Sequence, residues 1–330
     1  TTAYNVGLDF TLFDYMITGS VEWYYKKTHD MIMSKRLPNF TGFGSITTNL
    51  GEVSNSGVEV TLNSRNINHE NFTWNTSLGF SYNKNTIKHL YYEYDENGKE
   101  IDDTTNGWFI GKPVGEIWDY KVVGIWQANE ADEAALVNQK PGDPKVANIY
   151  TEDDKILSDG TRVAVYNDKD KVFQGTTAPP IYWNMRNDFT LFKDWTFSFS
   201  LYSYMGHKSR AGYYLNGDNS GSMFTNGCNT YKKEYWTPDN PTNDYARLGA
   251  VGPSGATGVN KVYNRNFVRL DNITVGYTIP NRITRTLGVD RIHLSATVNN
   301  VMTFDCWEYG DPETGGFSNR QFQFGINVTL

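Results

Sequence analysis

The five histidines, His29, His69, His89, His207 and His293, are the first side chains to weigh for metal or proton chemistry, because imidazole serves both roles near neutral pH. None has the HExxH interval that sets two rings on one helix face, nor any other ligand spacing, so neither metal binding nor catalysis is expected from them. Cys228 and Cys306 stand far apart and outside any CxxC pattern, which leaves one bridge between them as the most the pair allows. Nucleophile-elbow, phosphate-loop and dinucleotide-binding glycine patterns are all missing. Carboxylates in long connections would need a fixed separation to cleave a glycoside, and their spacing specifies none. The expectation is a chain that is not an enzyme and holds no cofactor or metal. A net charge of −7 and a pI near 5.3 provide no concentrated basic surface, which argues against nucleic acid as a partner.

The elements that carry these residues are written in period two. Val6, Leu8, Phe10 and Leu12 alternate with Gly7, Asp9 and Thr11, and Ile17, Val21, Trp23 and Tyr25 alternate with Thr18, Ser20, Glu22 and Lys26. The plan repeats at Val58–Leu62, at Phe72–Tyr82, in the pair 181–192 and 195–207, in the pair 266–279 and 291–303, and at 321–330. Within 266–279 the phase changes between Leu270 and Ile273, which a β-bulge explains. Nine strands are therefore expected. No run approaches the ~18 apolar residues of a membrane-spanning helix. A barrel strand needs only about 9–11 residues with every second one apolar, so a mean hydropathy of −0.56 is compatible with a membrane barrel.

Connections alternate in length. Those at 14–15, 63–71, 193–194 and 280–290 are short, whereas those at 34–55, 84–180, 208–265 and 304–318 are long. Outer-membrane barrels have this asymmetry, with tight turns on the periplasmic side and recognition loops outside. The aromatic content, 22 Tyr, 18 Phe and 9 Trp, also suits a structure with rings at a membrane interface. Alternation alone describes any half-buried antiparallel sheet as well, so a secreted β-sandwich glycan-binding module and a surface adhesin remain competing readings. Those alternatives bury Trp74, Phe80, Phe197 and Phe199 inside the protein. A barrel turns them toward lipid.

Several phrases resemble the SusC-like (SusC/RagA) branch of the TonB-dependent transporters, the outer-membrane nutrient importers of Bacteroidetes. They are Asn49-Leu50-Gly51-Glu52-Val53-Ser54-Asn55-Ser56-Gly57-Val58-Glu59, Tyr120-Lys121-Val122-Val123-Gly124-Ile125-Trp126-Gln127, Tyr235-Trp236-Thr237-Pro238, Phe267-Val268-Arg269-Leu270-Asp271 and Asp311-Pro312-Glu313, in that order along the chain. The resemblance implies an all-β fold, the C-terminal portion (1–330) of a barrel of about 22 strands. In that fold 84–180 and 208–265 are extracellular loops, and the signal peptide, plug and first barrel strands lie outside this sequence. Two features depart from the family pattern. Asp153, Asp154, Asp159 and Gly160 lack the regular ligand spacing of a calcium loop, and Leu330 stands where such barrels usually end in Phe.

By the same resemblance the chain imports a nutrient, oligosaccharide or peptide, into which TonB puts energy through the plug. Its partners are a SusD-like surface lipoprotein as lid, the TonB complex, the remaining barrel segment and membrane lipid, assembled as a dimer of such pairs. Glu22, Asn75, Asn184 and Arg186 then face the lumen. Trp108, Trp118, Trp126 and Trp236 are candidates for contact with substrate or lid, beside the plainer role of packing the long loops on themselves.

Overall fold

The computed structural model describes residues 1–36, 44–211, 234–256, 259–308 and 310–330. Among them nine strands form one antiparallel sheet in chain order: β1 Thr2–Leu12, β2 Ile17–Arg36, β3 Ser45–His69, β4 Phe72–His89, β5 Ile181–Leu191, β6 Trp195–Met205, β7 Phe267–Thr278, β8 Arg291–Asp305 and β9 Gln321–Thr329. Every expected strand is present, and every neighbour is the next strand in sequence. β1 and β9 each leave one side unpaired among the described residues.

Register carries the period-two pattern across the sheet. Val21 pairs with Leu8 and Val60, Val60 with Phe80, Phe80 with Trp183, Phe197 with Phe189 and Val275, and Val275 with Ala296, which pairs with Phe324. One face is therefore a continuous apolar band. The expected phase change is a bulge at Asp271: β7 steps from Leu270 to Asn272 against both β6 and β8, so Phe267 and Arg269 fall on the polar face. The turns on the short side are tight, with Phe13, Asp14 and Tyr15, and again Phe192 and Lys193, at positive φ. Positive φ at both central residues gives a turn whose twist matches the strands it joins.

One expectation needs correction. The segment 34–55 is not a long open connection, because β2 and β3 stay paired from Thr28 opposite Val53 out to Arg36 opposite Ser45. β3 runs 25 residues, about 80 Å at ~3.3 Å per residue, far beyond the about 9–11 residues needed to cross hydrocarbon. The outer part of this hairpin extends past the apolar band. Residues 37–43 lie outside the described residues.

The chain divides into two compact units. The first contains Thr1–Gly115, Ala178–His207 and Asn264–Leu330, and holds the sheet. Its buried apolar cluster is Met33, Val53, Ile87 and Leu90, with Met31, Tyr91, Trp108 and Ile110 against it, beside the extended hairpin rather than under the apolar band. The second unit contains Glu116–Thr177 and Lys208–Tyr263, of which 212–233 and 257–258 lie outside the described residues. It has its own core of Tyr120, Trp126, Ala134, Val137, Val146, Tyr166 and Val259, and a second cluster of Ile125, Trp236 and Ala246.

Candidate functional site

The polar face of the sheet is the first candidate surface. Pairing places all four residues singled out for it on the same side: Glu22 opposite Glu59, Asn75 opposite Asp188, Arg186 opposite Ser77 and Asn184 opposite Gly79. Asn5 donates to Glu22 at 3.2 Å, and Arg186 forks onto Asp188, with Nε 3.0 Å from both carboxylate oxygens and Nη2 2.8 Å from one of them. Arg186 Nη2 also donates to the Ser198 hydroxyl at 3.2 Å. Arg186 and Asp188 are half open to solvent, so their pairing contributes little to stability.

A denser network sits in the residues of the Asn55-Ser56-Gly57-Val58-Glu59 phrase. The Tyr24 hydroxyl donates to Asn83 at 3.1 Å, and the amides of Asn83 and Asn85 both donate to Asn55, at 3.4 and 2.9 Å. Asn85 in turn accepts the backbone N–H of Val114 at 2.9 Å, which ties the long connection after β4 to the sheet. Of these asparagines only Asn55 belongs to that phrase, and the network adds Asn83 and Asn85 from β4. Their spacing, Asn83 and Asn85 two apart on one strand face, was the available signal.

The opposite face is apolar and uncovered. Phe80, Val275 and Trp23, on interior strands, are 36%, 40% and 47% exposed. Trp74, Phe197 and Phe199 are half-buried, but by neighbours on their own face. Phe189 lies 5.7 Å from Trp74, 5.8 Å from Phe197 and 6.2 Å from Phe199, centroid to centroid. Asn187 sits among these rings, nearly fully buried, and accepts from Trp74 Nε1 at 2.9 Å and the Thr76 hydroxyl at 2.7 Å. A buried amide is tolerable there because it is paired.

The four tryptophans separate. Trp126 and Trp236 are buried in the second unit. Trp126 Nε1 donates to Gln139 at 2.9 Å with the Lys145 ammonium 4.2 Å above the ring, and Trp236 Nε1 donates to Gln127 at 3.0 Å. They are core residues in this arrangement. Trp118 is half-buried with the Lys171 ammonium 4.7 Å over its ring, and Trp108 is half-buried beside the cluster at the extended hairpin.

Buried charge in the second unit is also paired. Asp143 bonds Arg247 at 2.8 Å and accepts the amides of Lys140 and Val251, while Asp119 bonds Arg210 at 2.8 Å. Both ion pairs join the segment after β4 to the segment after β6. Of the histidines, His89 bonds Glu100 at 2.7 Å and His293 bonds Thr278 at 3.0 Å. Burial pushes the Glu100 carboxyl up. The His89 ring and the amides of Leu90 and Tyr92 outweigh that and hold it below its ordinary value. Among the described residues no group of three or more metal-ligating side chains converges. Cys306 is exposed and free, and Cys228 lies outside the described residues.

No family model matches the chain. It is 26% identical over 342 residues to the TonB-dependent receptor P3 of Formosa agariphila, covering 99% of this chain and 32% of that protein. It is 27% identical to the TonB-dependent receptor SusC of Bacteroides thetaiotaomicron, covering 95% of this chain and 29% of that one. Among solved structures the RagAB peptide transporter superposes with a TM-score of 0.71 at 21% identity, over 99% of this chain and 35% of its own. The resemblance to SusC-like TonB-dependent transporters therefore holds along the whole chain, and the sheet has the fold of a transporter barrel wall. These relatives are receptors and transporters, not enzymes. The chain spans about a third of their length.

Proposed function

We propose that this chain is the C-terminal part of the barrel wall of an outer-membrane importer that takes up a nutrient, with energy supplied through TonB. The observation that carries the reading is the division of one antiparallel sheet into a continuous, uncovered apolar face and a polar face bearing Glu22, Asn75, Asn184 and Arg186. Hydrocarbon tolerates a sheet only when every backbone group is paired, so β1 and β9 require further strands to close the barrel. The roughly 22-stranded size of plugged outer-membrane transporters accommodates nine from here. In this reading the polar face lines the passage and the apolar face meets lipid. The connections 84–180 and 208–265 are then extracellular.

The finer assignments are those the family resemblance implies. A SusD-like lipoprotein lids the barrel, the TonB complex acts through the plug, and two such pairs form a dimer. The cargo is an oligosaccharide or a peptide. Trp108 and Trp118, with rings partly open, are better placed for lid or cargo than the buried Trp126 and Trp236. No metal is assigned.

Extraction of the native protein from outer membranes, followed by identification of co-purifying chains by mass spectrometry, tests this. A detergent-requiring species containing the remaining barrel strands and a surface lipoprotein is the expected outcome. A soluble 37.5 kDa monomer without partners contradicts it and returns the glycan-binding module to first place.

A further inference from the structure

The connection between β8 and β9 carries the Asp311-Pro312-Glu313 phrase, which the import reading leaves without a role. It does not stand away from the sheet. Arg269, on the polar face of β7, is nearly fully buried, and its Nη2 donates to the Asp311 carboxylate at 2.6 Å while Nη1 lies 3.4 Å from Glu313. The Tyr202 hydroxyl, from the next strand on the same face, donates to Glu313 at 2.6 Å. Arg265 holds the backbone of the last two of these residues, its Nε donating to the Pro312 carbonyl at 2.5 Å and its Nη2 to the Glu313 carbonyl at 3.4 Å.

The held segment is also closed on itself. Asp311 Oδ1 accepts the amides of Glu313 and Thr314 at 2.9 and 3.0 Å, the Asp311 amide donates to the Gly316 carbonyl at 2.7 Å, and the Gly315 amide donates to the Asp311 carbonyl at 2.8 Å. Rings complete the seat. The Arg269 guanidinium lies 5.3 Å from the Phe267 centroid and 5.8 Å from that of Tyr202, and Tyr202 and Tyr204 both meet Phe267 edge to face. Removing one partner of a buried, hydrogen-bonded ion pair strands the other charge away from water, so this anchor has no cheap open state.

We infer that Arg269 and Arg265 latch residues 311–316 of the β8–β9 connection onto the polar face as a rigid strap, so that this segment is fixed against the sheet at the long-loop end rather than a mobile surface loop. Arg269 acts as a positioning residue. Any opening movement at that end then belongs to other connections. The inference needs only the contacts within this unit, so it stands or falls separately from the import reading.

Hydrogen–deuterium exchange on the detergent-purified full-length protein tests it. A short Asx-type turn alone protects its amides weakly, so strong protection of the amides at 311–315 depends on the latch. The expected result is slow exchange there in the parent, exchange at least about tenfold faster in Arg269→Ala, and an intermediate rate in Arg269→Lys, which keeps the charge but loses the fork. Peptides from β7 and β8 keep their rates. Parent exchange as fast as in an unstructured peptide, or unchanged protection in Arg269→Ala, overturns the inference. If Arg269→Ala fails to assemble, Arg265→Ala, which leaves the ion pair in place, must still raise the rate at 311–315. No rise there overturns the inference equally.

Discussion

Tyr24 fills the space that a side chain at position 57 would need. A Cβ there would come 2.6 Å from the Tyr24 ring and would run into the Tyr82 carbonyl oxygen. This gives the glycine of the Asn55-Ser56-Gly57-Val58-Glu59 phrase a physical reason, because the Tyr24 ring must cross Gly57 for its hydroxyl to reach Asn83. Gly57→Ala is expected to destabilise the barrel by about 1–3 kcal/mol. The loss would be read as a lower temperature for the heat-induced mobility change of the full-length protein on a gel, and an unchanged temperature would refute the crowding argument. Asp311 makes a second prediction at this scale. Burial pushes its carboxyl up, but the Arg269 guanidinium and the amides of Thr314 and Glu313 outweigh that and hold it at about 2, against an ordinary 3.8. Its folded pKa is depressed, so its stabilising contribution is complete above the unfolded value and is lost as pH falls from about 3.8 toward 2. Protection of the amides at 311–315 should therefore persist down to about pH 4 and decline below it. Loss of protection between pH 7 and 5 would show that another group controls the strap.

At the scale of elements, the Asp271 bulge decides which side of β7 faces which environment. It lets Leu270 join Leu201 in the apolar band while Arg269 and Phe267 turn to the polar face. Deleting Asp271 closes the bulge without changing any face, since Asn272 then follows Leu270 directly and Arg269 stays opposite Tyr202 on the polar side. The expected outcome is retention of the heat-modifiable folded species, read by gel mobility of the outer-membrane fraction. Loss of that species would mean that the unpaired residue itself, and not only the side each side chain faces, is required. The nine strands and this bulge were legible because the sheet separates an apolar face from a polar one, and that separation writes period two into the chain. The outer half of the β2–β3 hairpin was not legible for the complementary reason. Around Ser45–Asn55 the sequence has no sustained alternation, so a paired ribbon there reads as a loop. That Glu22, Asn75, Asn184 and Arg186 share one face was legible from strand parity alone, and pairing puts them on one side; that this side lines a passage belongs to the proposed function. Trp126 and Trp236 take the plainer role of packing the loops; which of the four tryptophans would do so was not legible, because it depends on Gln139 and Gln127, partners in irregular segments that no period marks.

At the scale of the whole molecule, the second unit is assembled from two segments far apart in sequence, joined by Asp143–Arg247, Asp119–Arg210 and Trp236–Gln127. Asp143→Ala removes the acceptor of Arg247 and of two backbone amides from a fully buried position, so 116–177 and 234–263 should gain hydrogen exchange together while the sheet keeps its protection. Exchange rising in one segment only would show that they are not one cooperative unit. The sheet itself poses the central question, which is what lies against each of its faces. A sandwich places protein over Phe197, Phe199 and Val275, and a barrel wall places lipid there. Spin labels introduced one at a time at 197 to 201 along β6 of the full-length protein in outer membranes, read by accessibility to oxygen and to a water-soluble nickel chelate, measure this directly. The account predicts high oxygen accessibility at 197, 199 and 201 and high nickel accessibility at 198 and 200. Low accessibility to both reagents at 197, 199 and 201 would place protein over the apolar face and contradict the barrel wall.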